Sequence, residues 1–179
     1  MVLLRQLREV IKRPWLFPEL FMNKSEDFWV NHSAKKWFKE NAKNKRIFEY
    51  GSGYSTDFLA DICEDIISVE NNLEWFNKSS KIKKKNKKVF FRSNKKSYIN
   101  EISKHGKFDI VFVDADYRGD CAKKAWGCLK KGGVLVLDDV NLATHAKLIF
   151  DGFLEPKFKL GGLKSNTGGY WETGFVFKK

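Results

Sequence analysis

Short apolar runs alternate along the chain with stretches of helical spacing, and this alternation predicts a layered α/β domain. The runs are Arg46-Ile47-Phe48-Glu49-Tyr50, Asp65-Ile66-Ile67-Ser68-Val69-Glu70, Val89-Phe90-Phe91, Phe108-Asp109-Ile110-Val111-Phe112-Val113-Asp114 and Gly132-Gly133-Val134-Leu135-Val136-Leu137-Asp138-Asp139. Phe58, Leu59 and Ile62 mark a helix after the first run. Ala122, Ala125, Trp126 and Leu129 mark one after the fourth, and Leu142, Ala146, Ile149, Phe150 and Phe153 one after the fifth. Such an order gives a parallel sheet with helices on both faces. Right-handed crossovers then bring the carboxyl ends of the strands, where ligands bind, to one edge.

Beyond Leu154 the pattern changes. Lys157-Phe158-Lys159-Leu160 and Thr173-Gly174-Phe175-Val176-Phe177 are separated by a Gly- and Asn-rich loop over 161–169 with no helix, which predicts an antiparallel hairpin. The expected fold is therefore a Rossmann-like, doubly wound, mostly parallel sheet of seven strands that ends in this hairpin.

Residues 1–44 read as a helical extension and 45–179 as the core of a single domain. In the extension Leu3, Leu4, Leu7, Val10 and Ile11 follow helical spacing, opposite Arg5, Arg8, Lys12 and Arg13, until Pro14 and Pro18 intervene. This helix is expected to pack on the domain or on a second subunit, although a basic amphipathic helix also suits a membrane surface. A second helix is expected from an N-cap at Ser25, with Glu26 and Asp27 in its first turn, to about Ala42, burying Val30, Ala34 and Trp37.

Composition narrows the class. With 179 residues, 42% of them hydrophobic, the chain can bury one core of useful size. No segment is long and apolar enough to span a bilayer, and Arg5, Arg8 and Glu9 break any secretory apolar run. Cys63, Cys121 and Cys128 are odd in number and lack C-x-x-C spacing, which points to reduced thiols and a cytoplasmic protein. The net charge of +12 is densest over 78–88, with seven lysines, but that run falls at the amino end of the third strand. We read it as a solvated turn; no RNA-binding or zinc motif accompanies it.

The chemistry concentrates in Glu49-Tyr50-Gly51-Ser52-Gly53-Tyr54-Ser55-Thr56, where an apolar strand meets an acid, two glycines and a hydroxyl-rich helix start. Glycines allow a tight turn and close backbone approach to a ligand. NAD would set an anionic pyrophosphate there and needs a third glycine, which is Thr56 here. S-adenosylmethionine carries an ammonium and a sulfonium, to which the carboxylate of Glu49 is favourable. Glu70 follows Gly51 by 19 positions, near the spacing at which an acid meets ribose hydroxyls.

Four motifs in order, E-Y-G-S-G-Y-S-T from Glu49, S-V-E from Ser68, F-D-I-V-F-V-D-A-D from Phe108 and K-K-G-G-V-L-V-L-D-D from Lys130, resemble the class I S-adenosylmethionine-dependent methyltransferases. The resemblance runs from about Lys45 to the C-terminus. It implies that Glu49, Gly51, Ser52, Gly53, Ser55 and Thr56 hold the methionine part of the donor, Glu70 and Asn71 the ribose, and Ser93 or Asn94 the adenine. It also implies a C-terminal hairpin whose last strand inserts into the sheet.

Asp114, Asp116, Asp138 and Asp139 are the polar groups that this topology brings to the transfer site. Asp114, which also borders the donor, and Asp139 are the candidate catalytic residues. Asp114 with Asp138-Asp139 further resembles the Mg²⁺ ligands of catechol- and caffeoyl-type O-methyltransferases. Asp139 stands where those enzymes have Asn, however, and Tyr117 where they have Lys, so a metal-free site is preferred. Arg118, His145, Tyr170 and Trp171 are candidates for an acceptor pocket. The expected activity is methyl transfer to a hydroxyl- or nitrogen-bearing acceptor, a small molecule by preference. The alternatives are an RNA or protein acceptor, or a catalytically silent Rossmann-like module that binds through its basic surface.

Overall fold

The computed structural model describes residues 1–21, 28–142, 158–164 and 166–179. Helix α1 (Val2–Lys12), a 3₁₀ segment (Pro14–Phe21) and α2 (His32–Asn41) precede the sheet. Strands β1 (Arg46–Tyr50), β2 (Asp65–Glu70), β3 (Lys87–Phe91), β4 (Phe108–Val113) and β5 (Leu129–Leu137) then alternate with α3 (Tyr54–Ile62), α4 (Leu73–Lys81), α5 (Lys95–Asn100) and α6 (Arg118–Cys128). Strands β6 (Phe158–Leu163) and β7 (Tyr170–Phe177) close the fold.

The sheet order is β3-β2-β1-β4-β5-β7-β6. Strands β1 to β5 are parallel, and β7 lies antiparallel between β5 and β6. The sheet is buried on both sides because successive strand residues point to opposite faces. Phe48, Tyr50, Val111 and Leu135 pack with Tyr98, Cys121 and Ala125 from α5 and α6. Ile47, Ile66, Ile110 and Val136 pack with Ala34, Phe38 and Leu59 from α2 and α3. Each of the five predicted parallel strands is present, as is the hairpin.

Three expectations need correction. The described helix α2 begins at His32, capped by Asn31, whose Oδ1 accepts from the Ala34 amide at 2.9 Å. Asn31 Nδ2 also donates to Thr173 Oγ1 at 2.9 Å and to the Leu160 carbonyl at 3.0 Å, so long-range bonds hold it outside the helix. Ser25, Glu26 and Asp27 lie outside the described residues, and Phe38 rather than Trp37 is the fully buried ring of α2. Gly161 and Gly162 belong to β6, not to a loop: they pair with Glu172 and Trp171, and a Cβ at Gly161 would collide with the Tyr170 ring. Finally, the lysine run is only partly solvated. Lys87 Nζ is 2.5 Å from Asp57 and Lys84 Nζ 2.7 Å from Asp61, while Lys81, Lys83, Lys85 and Lys88 are exposed.

Helix α1 does not turn its apolar stripe onto this domain, one of the two packings expected of it. Its buried residue is Gln6, and Leu3, Leu4, Leu7 and Ile11 are exposed rather than packed on the domain. No described helix is long and apolar enough to cross a membrane.

Candidate active site

At the carboxyl end of β1 the chain turns through Gly51, whose φ is +91°. A Cβ here would meet the Asp114 carbonyl oxygen head-on, so glycine is required both by its dihedral and by the close approach of β4. The turn is fixed from β2. Glu70 Oε2 accepts from the Ser52 amide at 2.6 Å, and Oε1 accepts from the amides of Asn71 and Asn72 at 2.9 and 2.8 Å. One carboxylate thus ties the glycine loop to the start of α4.

Glu49 lies one layer deeper and is 1% exposed. It accepts hydroxyl hydrogen bonds from Ser55 at 2.5 Å and from Thr56 and Ser68 at 2.6 Å each. Burial pushes its carboxyl up to about 7 despite these three donors. Thr56 Oγ1 in turn accepts from the Gly53 amide at 3.0 Å, a cap on the start of α3 that links the buried acid to the loop above it.

A cavity of about 400 Å³ opens over this loop. Gly51, Ser52, Gly53, Ser55, Glu70, Asn71 and Asp114, all singled out from the sequence, line it. Glu49 and Thr56 sit behind that wall. Ser93 and Asn94 are exposed away from it, and Asn94 Oδ1 caps α5 by accepting from the Ser97 amide at 2.9 Å.

The side chains that sequence reasoning missed are mostly aromatic. Trp29, Tyr54 and Trp75 form one wall of the cavity, with ring centroids 5.2, 5.5 and 6.0 Å apart pairwise. Lys78 Nζ lies 4.5 Å from the Tyr54 centroid and 4.7 Å from that of Trp75. Tyr98 lines another wall; its Oη lies against the Gly51 amide yet makes no hydrogen bond among the described residues. Helical spacing marks such rings as core, and only the fold shows that they border a cavity.

Of the four acids expected at the ends of β4 and β5, Asp114, Asp138 and Asp139 gather, whereas Asp116 lines the cavity and its Oδ2 accepts from Asn71 Nδ2 at 3.0 Å. Asp114, Asp138 and Asp139 each offer an oxygen within 4.8 Å of the others. Two cations of the chain itself fill the cluster. Lys164 Nζ is 2.6 Å from Asp138 Oδ2 and 2.5 Å from Asp139 Oδ1, and Arg118 Nη2 is 2.5 Å from Asp114 Oδ1 and 3.6 Å from Asp139 Oδ2. Thr173 Oγ1 donates to the remaining oxygen of Asp138 at 2.8 Å. Burial lowers the Lys164 pKa, but the carboxylates of Asp138, Asp114 and Asp139 outweigh it and the net shift is upward, so the ammonium is retained. Burial raises the carboxyls of Asp138 and Asp114. Three oxygens from such a set would suit a hard divalent ion. Here an ammonium and a guanidinium already pair with these oxygens, and the residues do not fit a Mg²⁺ site.

Asp139 adopts φ +56°, a left-handed conformation unusual for a side-chain-bearing residue and a sign of local constraint beside the cluster. Nothing in the sequence marked Lys164, because its reach to Asp138 depends on hairpin register. Tyr170 carries the Arg13 guanidinium 4.1 Å over its ring, and Trp171 Nε1 donates to Thr167 Oγ1 at 2.9 Å, so both brace the hairpin. His145 and the predicted helix residues Ala146, Ile149, Phe150 and Phe153 lie outside the described residues.

Fold and site together define a Rossmann-like domain with a cavity at the carboxyl ends of its parallel strands. The O-methyltransferase TomG from Streptomyces achromogenes, solved in complex with SAM, superposes with a TM-score of 0.64 at 16% identity, over 99% of this chain and 90% of that one. An rRNA methylase from Streptococcus thermophilus matches with a TM-score of 0.58 at 14% identity, over 83% of this chain and 96% of that one. A Streptococcus mutans protein, described as a candidate SAM-dependent methyltransferase, matches with a TM-score of 0.60 at 14% identity over 87% of this chain, which spans only 50% of its length. At these identities the likeness is one of fold. No family model and no curated protein sequence matches the chain.

Proposed function

We propose that this protein is a methyltransferase that uses S-adenosylmethionine as donor and transfers the methyl group to a hydroxyl- or nitrogen-bearing small molecule. The observation that carries this reading is the cavity over Gly51 to Gly53, lined by the carboxylates of Glu70, Asp114 and Asp116 against one cation, Arg118, which is itself paired with Asp114. Such a floor favours a cationic donor and disfavours a pyrophosphate. SAM-bound TomG shares the fold. In this reading Glu70 and Asn71 accept the ribose, the Gly51–Gly53 backbone with Ser52 and Ser55 holds the methionine end, and Glu49 supports it from behind through Ser55 and Thr56.

Methyl transfer from a sulfonium is an in-line displacement. The methyl passes from sulfur to the acceptor atom, the S–C bond breaks as the new bond forms, and S-adenosylhomocysteine leaves. The protein's contribution is to align the partners and exclude water, and, for a protonated acceptor, to receive the proton. Asp114 suits that last role, because burial raises its carboxyl and Arg118 orients it. Asp139, held by the same Arg118 and by Lys164, would position the acceptor side. The lysines of 81–88 precede or open β3, at the opposite end of the strands from Glu70 and Asp114, and so do not favour a nucleic-acid acceptor; Lys78, in α4, lies instead over the Tyr54 and Trp75 rings of the cavity wall.

Calorimetry tests the donor assignment: S-adenosylmethionine and S-adenosylhomocysteine are expected to bind, and NAD not to. Tight NAD binding without response to either adenosyl compound overturns the reading. Labelled donor offered to metabolite, protein and RNA pools then identifies the acceptor class, with label expected in the metabolite pool.

A further inference from the structure

The N-terminal helix is inside out for a helix that packs on a globular body. What α1 and the following 3₁₀ segment turn toward the protein is largely polar: Gln6 is 1% exposed, Arg13 stacks 4.1 Å over Tyr170, and Glu19 Oε2 accepts from the Leu163 amide at 2.6 Å. Leu16 is the buried apolar side chain of the 3₁₀ segment. Large apolar residues face outward instead. Leu4 is 67% exposed, Ile11 80%, Trp15 70% and Phe21 75%, and Leu3, Leu7 and Phe17 are exposed with them. Leu3, Leu4, Leu7 and Ile11 share one helical stripe; of the exposed basic residues Arg8 lies beside it, and Arg5 and Lys12 lie farther round the helix.

Exposed large apolar side chains in this number call for a partner. A second copy of the chain would bring together two bodies of net charge +12, with the same basic residues beside the contact. An anionic lipid surface accepts both features at once, since leucines and aromatic rings enter the acyl boundary while arginine and lysine meet the headgroups. We propose that α1 and the 3₁₀ segment form an interfacial anchor that docks this protein on an anionic bilayer. The β6–β7 hairpin that holds the anchor through Leu163 and Tyr170 also carries Lys164 to the acid cluster, so one hairpin joins the two. The proposal rests on the exposed residues alone and not on the methyltransferase reading.

The test is co-sedimentation of the whole protein with vesicles of phosphatidylcholine, alone or with about one-third phosphatidylglycerol. Pelleting with the anionic vesicles is expected, weakening as salt is added. Leu4→Glu/Ile11→Glu and Arg8→Glu/Lys12→Glu should each bind at least about tenfold more weakly with unchanged circular dichroism, since all four side chains are exposed. Failure to bind either vesicle, or binding that neither double variant weakens, overturns the proposal. A dimer in light scattering that Leu4→Glu/Ile11→Glu converts to monomer also overturns it, by assigning the face to self-association.

Discussion

Lys164 sets its ammonium 2.6 Å from a carboxylate of Asp138 that is wholly shielded from solvent, joining the hairpin to the end of β5. A buried pair of this kind contributes little net stability as a pair, but it is costly to break on one side. Lys164→Met should therefore lower unfolding stability by about 3–5 kcal/mol in urea titrations, and adding Asp138→Asn should recover much of that loss. If Lys164→Met proves as stable as the parent, the pair is not buried as described.

The same lysine decides the metal question. Because Lys164 and Arg118 already occupy oxygens of Asp114, Asp138 and Asp139, chelator should leave turnover unchanged, and added Mn²⁺ should remain free in electron paramagnetic resonance. Lys164→Ala removes one of these cations and should give the cluster measurable Mn²⁺ binding. Loss of activity in chelator, or Mn²⁺ uptake by the parent protein, would show that a metal displaces the lysine.

Glu70 ties three backbone amides and borders the cavity, so its removal should act twice. Glu70→Ala is expected to weaken S-adenosylhomocysteine binding by roughly 1.5–3 kcal/mol, the worth of charge-assisted hydrogen bonds, and to speed hydrogen exchange at Ser52, Asn71 and Asn72. Faster exchange at unchanged affinity would leave Glu70 as a brace for the loop and remove it from the donor site.

The parts legible in sequence were those fixed by local pattern. Strand periodicity and the acids at strand ends located Glu70, Asp114 and Asp138, because a parallel sheet sends every carboxyl end to one edge. Contacts set by distant register were not legible. Lys164 meets Asp138 only once β6 and β7 are paired, and Asn31 leaves its expected helix only because Thr173 and Leu160 are there to receive it. The outward face of α1 was hidden for another reason: its spacing reveals an apolar stripe but not which way the stripe turns.

Glu49 gives a pH signature. Burial raises its carboxyl from 4.5 to about 7, so the folded state holds that proton more tightly than the unfolded chain does. This contribution is therefore greatest below about pH 4.5 and is lost as pH rises to about 7, a change of roughly 3 kcal/mol. Asp114 and Asp138 are raised as well, so the difference between the parent and Glu49→Gln isolates the term. A cationic donor stabilises the ionised form, and its affinity should rise with pH through about 7 in the parent but not in the variant. Parallel stability profiles for the two proteins would place Glu49 outside this role.

Tyr98 separates stability from binding. Its side chain is 0% exposed, and its hydroxyl borders the cavity without a hydrogen bond among the described residues. A buried hydroxyl left unpaired costs about 1–3 kcal/mol, whereas its phenyl counterpart fills the same space without that penalty. Tyr98→Phe should accordingly melt at the same temperature as the parent or higher. Should the hydroxyl find its partner in the bound donor, the same substitution costs about 1 kcal/mol of affinity, a several-fold rise in the Kd for S-adenosylhomocysteine. Stability and affinity thus move in opposite directions, as expected of a polar group kept for a ligand. A lower melting temperature with unchanged Kd would instead mean that the hydroxyl serves the fold, through the Gly51 amide beside it.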